Sequence, residues 1–501
     1  MSSQRREAPE AAVEAAIEPA VDLEGADLPA ALASAAAPSM RERVLGVSRD
    51  PDSLSEIWAL SWPVMLSQVL LNIVGLIDIA MVGRLGSESV AAVGYATQFF
   101  HLSQSVLFAV GFATVALMAH AIGAGDPLRA RHALAAALLV SVGAAAVLTA
   151  AMLASPAAML AVLGAEPEVA RAAVPYLQLV VGSSLLLAVG MTLEFGLRAD
   201  RDARTPVLIA AVVTGVKIAG NAVLIFGAGP FPRLELVGAG LATFGSQVIG
   251  LLLFATVVVR STDDSPLALR ARDFAAARPL VRDVVRLTLP GVGERLANNL
   301  ALLAYFRVLS EYGSVAIAAY TVGVRLLAFT WIPGTAFGTA ASTLVGQALG
   351  AGRRDCASRV GWRATSLSLG FSIALGGACV AMPRFLAGLF TDDAALIDEL
   401  VPFLIVLALG QPAIQAHFAL GGAHRGAGDT FTPFVAAAIG NWALRVPLAF
   451  LFAFVLDAPV IWIWLVILGD HVARAVWLGV SFARGVRPLG RLDRPNARPD
   501  P

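Results

Sequence analysis

Lysine is almost missing from this chain: Lys217 is the single one among 501 residues, and arginine supplies the rest of the 36 strong positive charges. Charge of either sign is scarce at 14%, against about 25% in an average soluble domain. The 36 basic residues balance 36 acidic ones, which excludes a nucleic-acid binder built on excess positive charge. Cysteine is equally sparse. Cys356 and Cys379 are 23 residues apart, about 35 Å along one helix, so neither a disulfide nor a cysteine metal site is expected. No Gly-rich loop ends in Lys-Ser/Thr, and HExxH and GxSxG are lacking, which argues against a nucleotide-driven pump and against an enzyme. What is abundant is apolar: 57% of residues are hydrophobic and the mean hydropathy is +0.75. A disordered chain would need the opposite composition, and a soluble one could not hide so much apolar surface. The composition is that of a polytopic membrane protein.

Residues 1–52 are rich in Ala, Glu and Pro, without a charged segment leading into an apolar one, and read as a disordered acidic tail rather than a signal peptide. Twelve apolar runs follow, each near the roughly 20 residues that cross a bilayer core of about 30 Å. They lie near 56–80, 89–118, 132–154, 170–194, 206–227, 237–259, 283–308, 316–344, 361–381, 397–420, 433–456 and 460–482. The loops between them alternate in arginine. One set holds Arg129 and Arg131; Arg198, Arg201 and Arg204; Arg260, Arg270, Arg272 and Arg278; Arg353, Arg354 and Arg359; and Arg425, and both tails join it. The other set is short and arginine-poor. The positive-inside rule then places the tails and the arginine-rich loops in the cytoplasm, in a multi-pass protein of the cytoplasmic membrane.

The chain repeats itself. Pro290 follows Pro63 by 227 residues, and the same offset aligns Asn72 with Asn299, Gly86 with Gly313, Gly111 with Gly338, and Gly123-Ala124-Gly125 with Gly350-Ala351-Gly352. It continues through Pro156/Pro383, Pro175/Pro402, Arg198/Arg425, Asp202/Asp429 and Thr205-Pro206/Thr432-Pro433. Glycine and proline in register over so long a stretch mean a shared backbone, since each fixes local geometry. Each copy has six spans, an even number, so both insert the same way and their symmetry axis runs along the membrane normal. The expected fold is all-α: an N-lobe at 53–259, a cytoplasmic linker at 260–280, a C-lobe at 281–484 and a cytoplasmic tail at 485–501.

Ionisable groups at membrane depth are costly, and each is a functional hypothesis. Asp78 lies in the outer half of the first span; Lys217 lies near the middle of the fifth, with Asn221 one turn on along the same face. Asp78 is within reach of Asn221 and of Lys217, as a working site or as a structural ion pair beside a snorkelling lysine. The second span carries a polar stripe of Gly94, Gln98, His101 and Ser105, with Gln104 beside it, which must face water or another helix. His101 is either a proton relay or a satisfied interhelical histidine. The second lobe holds Glu294, Arg307, Arg325, His417, Arg445, Asp470, His471 and Arg474 within spans. Basic groups exceed acidic ones there, which leaves room for a cavity that accepts an anionic or zwitterionic ligand.

These motifs resemble the multidrug and toxic compound extrusion (MATE) family over 54–484. The likeness rests on Pro63, Ile77-Asp78 and Met81-Val82-Gly83-Arg84-Leu85-Gly86 with Val90-Ala91-Ala92, then on Pro290, Val315–Tyr320 and Leu344–Gly352. Leu224–Gly227 ahead of Gly238–Thr243 adds to it. The resemblance implies an antiporter that exports organic compounds against H⁺ or Na⁺. Asp78 matches the family's first-helix acid, Pro63 the proline at which that helix bends, Asn221 the fifth-helix Asp or Asn, and Lys217 the polar position one turn earlier. Pro290 is the matching bend in the second lobe. Asn72, Gln98, His101, Gln104, Glu294, Asn298, Arg325, His417 and Asp470 are the expected cavity residues. In the sodium-coupled branch a glutamate stands eight residues after the seventh-helix proline. Here that position is Asn298, which favours protons over sodium. The expectation is a monomeric exporter of a small amphipathic, often cationic, organic molecule, without metal, cofactor or nucleic acid; the alternative is a lipid-linked-saccharide or organic-anion exporter of the same superfamily.

Overall fold

A computed structural model describes residues 52–162, 164, 166–227 and 231–485 of the chain; apart from Asp52 and Gly485, the two expected tails fall outside it. Every regular element among the described residues is helical. Eleven stretches are long and apolar enough to cross a membrane, and one of them, Arg278–Arg325, runs through a tight turn at Gly313 into a further helix. Taken helix by helix these are twelve: α1 Leu54–Gly83, α2 Ser87–Gly123, α3 Pro127–Ala154, α4 Pro167–Ala199, α5 Arg204–Phe226, α6 Glu235–Val259, α7 Arg278–Leu309, α8 Gly313–Gly350, α9 Arg354–Ala381, α10 Ala394–Gly426, α11 Phe431–Val455 and α12 Ile461–Ala483. A helix satisfies its own backbone without water, which is why apolar runs of this length take no other form in lipid. The outward faces are apolar and bare, as at Val147, Leu208, Leu252, Leu303 and Ile373. The chain is thus an all-α, multi-pass membrane protein.

Sequence periodicity did not announce two interruptions. α4 is broken at Ser183, whose hydroxyl donates back to Val180 O at 2.6 Å. α11 passes through two π turns, Ile439–Arg445 and Leu451–Val455. By contrast α1 and α7 run unbroken through Pro63 and Pro290.

The packing differs between the two ends of the bundle. At the arginine-poor end each half has its own core. Val82, Ala92, Ala96, Met152, Tyr176, Leu177, Ile225 and Leu236 of α1–α6 form one, and Tyr305, Tyr320, Phe403, Ala449 and Trp464 of α7–α12 form the other. At the arginine-rich end the cores exchange helices. Ile57, Leu60 and Val64 of α1 sit among α8, α9, α10 and α12, while Val284 and Leu287 of α7 sit among α2, α3 and α4. α2 and α8 cross here so closely that a Cβ on Gly123 would strike Gln347 O, and one on Gly350 would strike His120 O. Both pairs, 123/350 and 120/347, are 227 apart, so the repeat's glycines are held in register by the crossing they permit.

Candidate functional site

Asp78 stands near the arginine-poor end of α1. Lys217 and Asn221, at i and i+4 on α5, point at it together because residues four apart share a helix face. The Lys217 ammonium pairs with Asp78 Oδ2, and Asn221 Nδ2 donates to Asp78 Oδ1 at 2.6 Å. Both carboxylate oxygens are therefore used. The pair keeps about a fifth of its side-chain surface open, 21% for Asp78 and 20% for Lys217, whereas Asn221 is buried and its Oδ1 finds no partner. Tyr176 of α4 lies within electrostatic reach of Asp78; nothing in its apolar sequence neighbourhood marked it.

The polar stripe of α2 lies on the same half of the molecule. Gln98 and His101 are exposed, and His101 Nδ1 and Gln104 Oε1 are 3.3 Å apart. From Leu107 to Ala121 the same helix is largely buried. α8 repeats the pattern, with exposed Gly313, Ser314, Val315 and Arg325 giving way to a buried run from Ala336 to Ala348. The halves thus touch closely at the arginine-rich end, while at the other end α2 and α8 leave Gln98, His101 and Arg325 exposed. Asn72 is half-buried, and its Nδ2 donates back along its own helix to Gln68 O at 2.9 Å.

The second lobe assembles a different cluster. Asp470 of α12 is fully buried; Arg474, one turn on, meets it in a forked pair at 2.6 and 2.9 Å, and Arg445 of α11 pairs with it from the other side. Arg474 also donates to Asn441 Oδ1 at 2.7 Å and to Asn298 Oδ1 at 3.2 Å, and Asn441 donates to Asn298 at 2.6 Å. His471 lies 3.5 Å from Arg445 and its ring stacks at 5.1 Å on His417. Glu294 is clamped by Arg425 at 2.7 and 2.8 Å. His417, Glu294, Arg425 and Arg474 border a cavity of about 20 Å³, room for about one water. Asp470 and Glu294 are thus each held by arginines, Asp470 fully buried and Glu294 at the edge of this cavity. Arg474 was legible from its i+4 spacing to Asp470. Asn441 was not, because it lies in a π turn that sets its face off from an α-helical count.

Among the described residues no group of three or more His, Cys, Asp or Glu is placed to hold a metal ion.

Comparison with known proteins agrees with this architecture. The model of the family described as MatE matches residues 63–223 and 290–451, two segments whose starts are 227 apart. The chain is 24% identical over 435 residues to the probable multidrug resistance protein NorM of Thermotoga maritima, covering 87% of this chain and 93% of that one. It is 26% identical over 352 residues to the FAD transporter of Shewanella oneidensis, covering 69% and 77%. Among solved structures it resembles a MOP superfamily transporter from Pyrococcus furiosus, described as having a binding pocket of reverse polarity, with a TM-score of 0.81 at 21% identity over 89% of this chain and 98% of that one.

Proposed function

The chain belongs to the MatE family of membrane transporters, and from that premise we propose that it is a secondary antiporter, exporting an amphipathic organic compound in exchange for protons by alternating access. The observation that carries this reading is the lysine seated on an intramembrane carboxylate. Ionised Asp78 attracts Lys217 and binds Asn221. Once protonated it loses the charge that holds Lys217, and α1 and α5 are no longer tied at this point. Substrate and proton then compete through the shape of one cavity. A sodium ion would have to displace the lysine from its place, since Asp78 is the one acid at this site. Among the described residues, the acids named in the second lobe's spans are already occupied, Asp470 by two guanidiniums and Glu294 by Arg425, and Asn298 is uncharged.

The arginine-rich end is cytoplasmic in this reading, which puts both tails inside, the exposed Gln98, His101 and Arg325 toward the outside, and the protein in the cytoplasmic membrane as a monomer. The two lobes with their linker at 260–280 are the moving bodies. Replacing Asp78 with Asn abolishes efflux while the protein still folds; proton-dependent efflux retained in that variant would refute the reading.

A second reading has one observation in its favour: two arginines converge on the single Asp470, and Arg325 is exposed on α8. This surplus fits an anionic or zwitterionic substrate, in keeping with the FAD transporter and the reverse-polarity pocket among the similar proteins. Competition assays separate the two. Inhibition of efflux by organic cations alone, unaffected by replacing Arg325 or Arg445, sides with the first; inhibition by organic anions sides with the second.

A further inference from the structure

Four helices finish at the arginine-rich end in the same way. α2, α4, α8 and α10 each close on a residue in the left-handed region: Gly125 (φ 73°), Arg201 (φ 61°), Gly352 (φ 73°) and Gly428 (φ 81°). In each, the next residue's amide donates to the carbonyl five residues earlier: Asp126 to Ala121, Asp202 to Leu197, Arg353 to Ala348 and Asp429 to His424, all at 2.8–2.9 Å. This helix stop favours glycine, which has no Cβ to collide with the backbone. Three of the four positions obey. The fourth, Arg201, is 227 residues before Gly428 and so is its repeat twin. An arginine there carries a steric penalty that its twin avoids, and such an outlier calls for a compensating role.

Its side chain supplies one. Arg201 Nε donates to Gln347 Oε1 at 2.6 Å, and Nη1 donates to Glu56 Oε1 at 3.3 Å. Gln347 Nε2 in turn donates to Ala199 O at 2.7 Å, and Thr343 Oγ1 to Arg198 O at 3.1 Å. The end of α4 is thereby fastened to the last turns of α8. Glu56 is buried and opens α1, whose first turns belong to the second lobe's core. One side chain of the first lobe therefore grips α8 of the second directly and, through Glu56, steadies the start of α1 where Ile57, Leu60 and Val64 pack into the second lobe's core. The repeat twins of Glu56, Arg201 and Gln347 are Asp283, Gly428 and His120, so the arginine fork exists on one side of the pseudo-two-fold only.

We propose that Arg201 is the gating residue of the closed end, its fork to Gln347 and Glu56 holding the two lobes together until that end opens. The proposal rests on the alternating-access reading, but its test needs neither substrate nor gradient, so a failed flux assay leaves the readout intact. Cys356 is a built-in reporter. It is 7% exposed and packed with Ile57, Leu60, Val64 and Ala203 beneath this junction. In a Cys379→Ser background, the rate at which a membrane-impermeant maleimide modifies Cys356 reports opening of this end. In a background with both natural cysteines replaced by Ser, the rate at Gln98→Cys reports the opposite end. Arg201→Gly suits the backbone and removes the fork. We expect Cys356 modification to rise about tenfold and Gln98→Cys modification to fall. Gln347→Ala added to Arg201→Gly raises the rate further, since it also removes the bond from Gln347 to Ala199 O, but by less than Gln347→Ala does alone, because the Arg201–Gln347 bond is shared. If Arg201→Gly does not fold, Glu56→Gln keeps the shape, weakens the same fork and carries the same prediction. Unchanged rates at both ends would overturn the proposal, and so would a rise at Cys356 without a fall at Gln98→Cys, which marks local loosening only.

Discussion

The two lobes share a backbone repeat but treat buried charge in opposite ways. In the first, one carboxylate meets one lysine and one amide, a fifth of the pair remains open, and the charges cancel. In the second, one carboxylate meets two arginines, is fully buried, and is tied through Asn441 and Asn298 to a third helix. Arg445 is one residue beyond 444, the repeat position of Lys217, an offset that the π turn Ile439–Arg445 accounts for by adding a residue to the helix. Both lobes thus place a cation at the same depth of their fifth helix. A lysine on a partly open acid is a pair that one proton can dissolve. Two forked guanidiniums on a dry acid are not, because neither arginine can give up its charge. The repeat therefore keeps the shape of the two lobes, while the first lobe alone pairs its partly open intramembrane acid with a group that is not an arginine.

Ways to break that contrast follow in order of effect. Asp78→Asn removes the switch: efflux falls to background, while thermal unfolding of purified protein moves little, because Lys217 is open enough to find water. Asp470→Ala does the reverse. It leaves two buried guanidiniums without a counter-charge and is expected to cost about 3–5 kcal/mol, read as a large drop in unfolding midpoint or in folded yield. Asn441→Ala removes one partner each from Arg474 and Asn298, for about 1–3 kcal/mol by the same measurement.

The smallest effect concerns the entry to α1. Arg359 donates to Asp52 Oδ2 at 2.6 Å and, with Arg363 nearby, holds the Asp52 carboxyl below its ordinary value. A carboxylate whose folded value is depressed contributes stability above its unfolded value, near 4, and loses it as pH falls through the folded one. This exposed tether between the start of α1 and α9 should hold at neutral pH and loosen below about 4, seen as lower protection of the 53–57 amides, relative to their intrinsic exchange rates, in acid. Protection that is insensitive to acid, or to Arg359→Ala at neutral pH, would count against the tether.

Much of this is legible in the sequence. The twelve helices follow from apolar length, since lipid admits little else. Asp78, Lys217 and Asn221 stood out because charge at membrane depth must be answered, and the i, i+4 spacing on α5 fixed which groups could answer it. Pro63 and Pro290 read as bends of their helices, but both helices run unbroken through them. Other features left no mark. Arg201 looks like any residue of an arginine-rich loop, because left-handed φ and a partner 146 residues away are not written in composition. Asn441 was hidden by the π turn. The exchange of α1 and α7 starts between cores was hidden because an apolar face does not say which neighbour it will meet.

The most direct test of the lysine-on-carboxylate switch is flux in proteoliposomes under an imposed pH gradient or an imposed Na⁺ gradient, with wild type and Lys217→Ala side by side. Wild type should transport under the pH gradient and not under Na⁺ alone, and Lys217→Ala, with the seat beside Asp78 vacated, should gain a response to Na⁺. Wild-type flux driven by Na⁺ at equal pH, or by neither gradient, would contradict it.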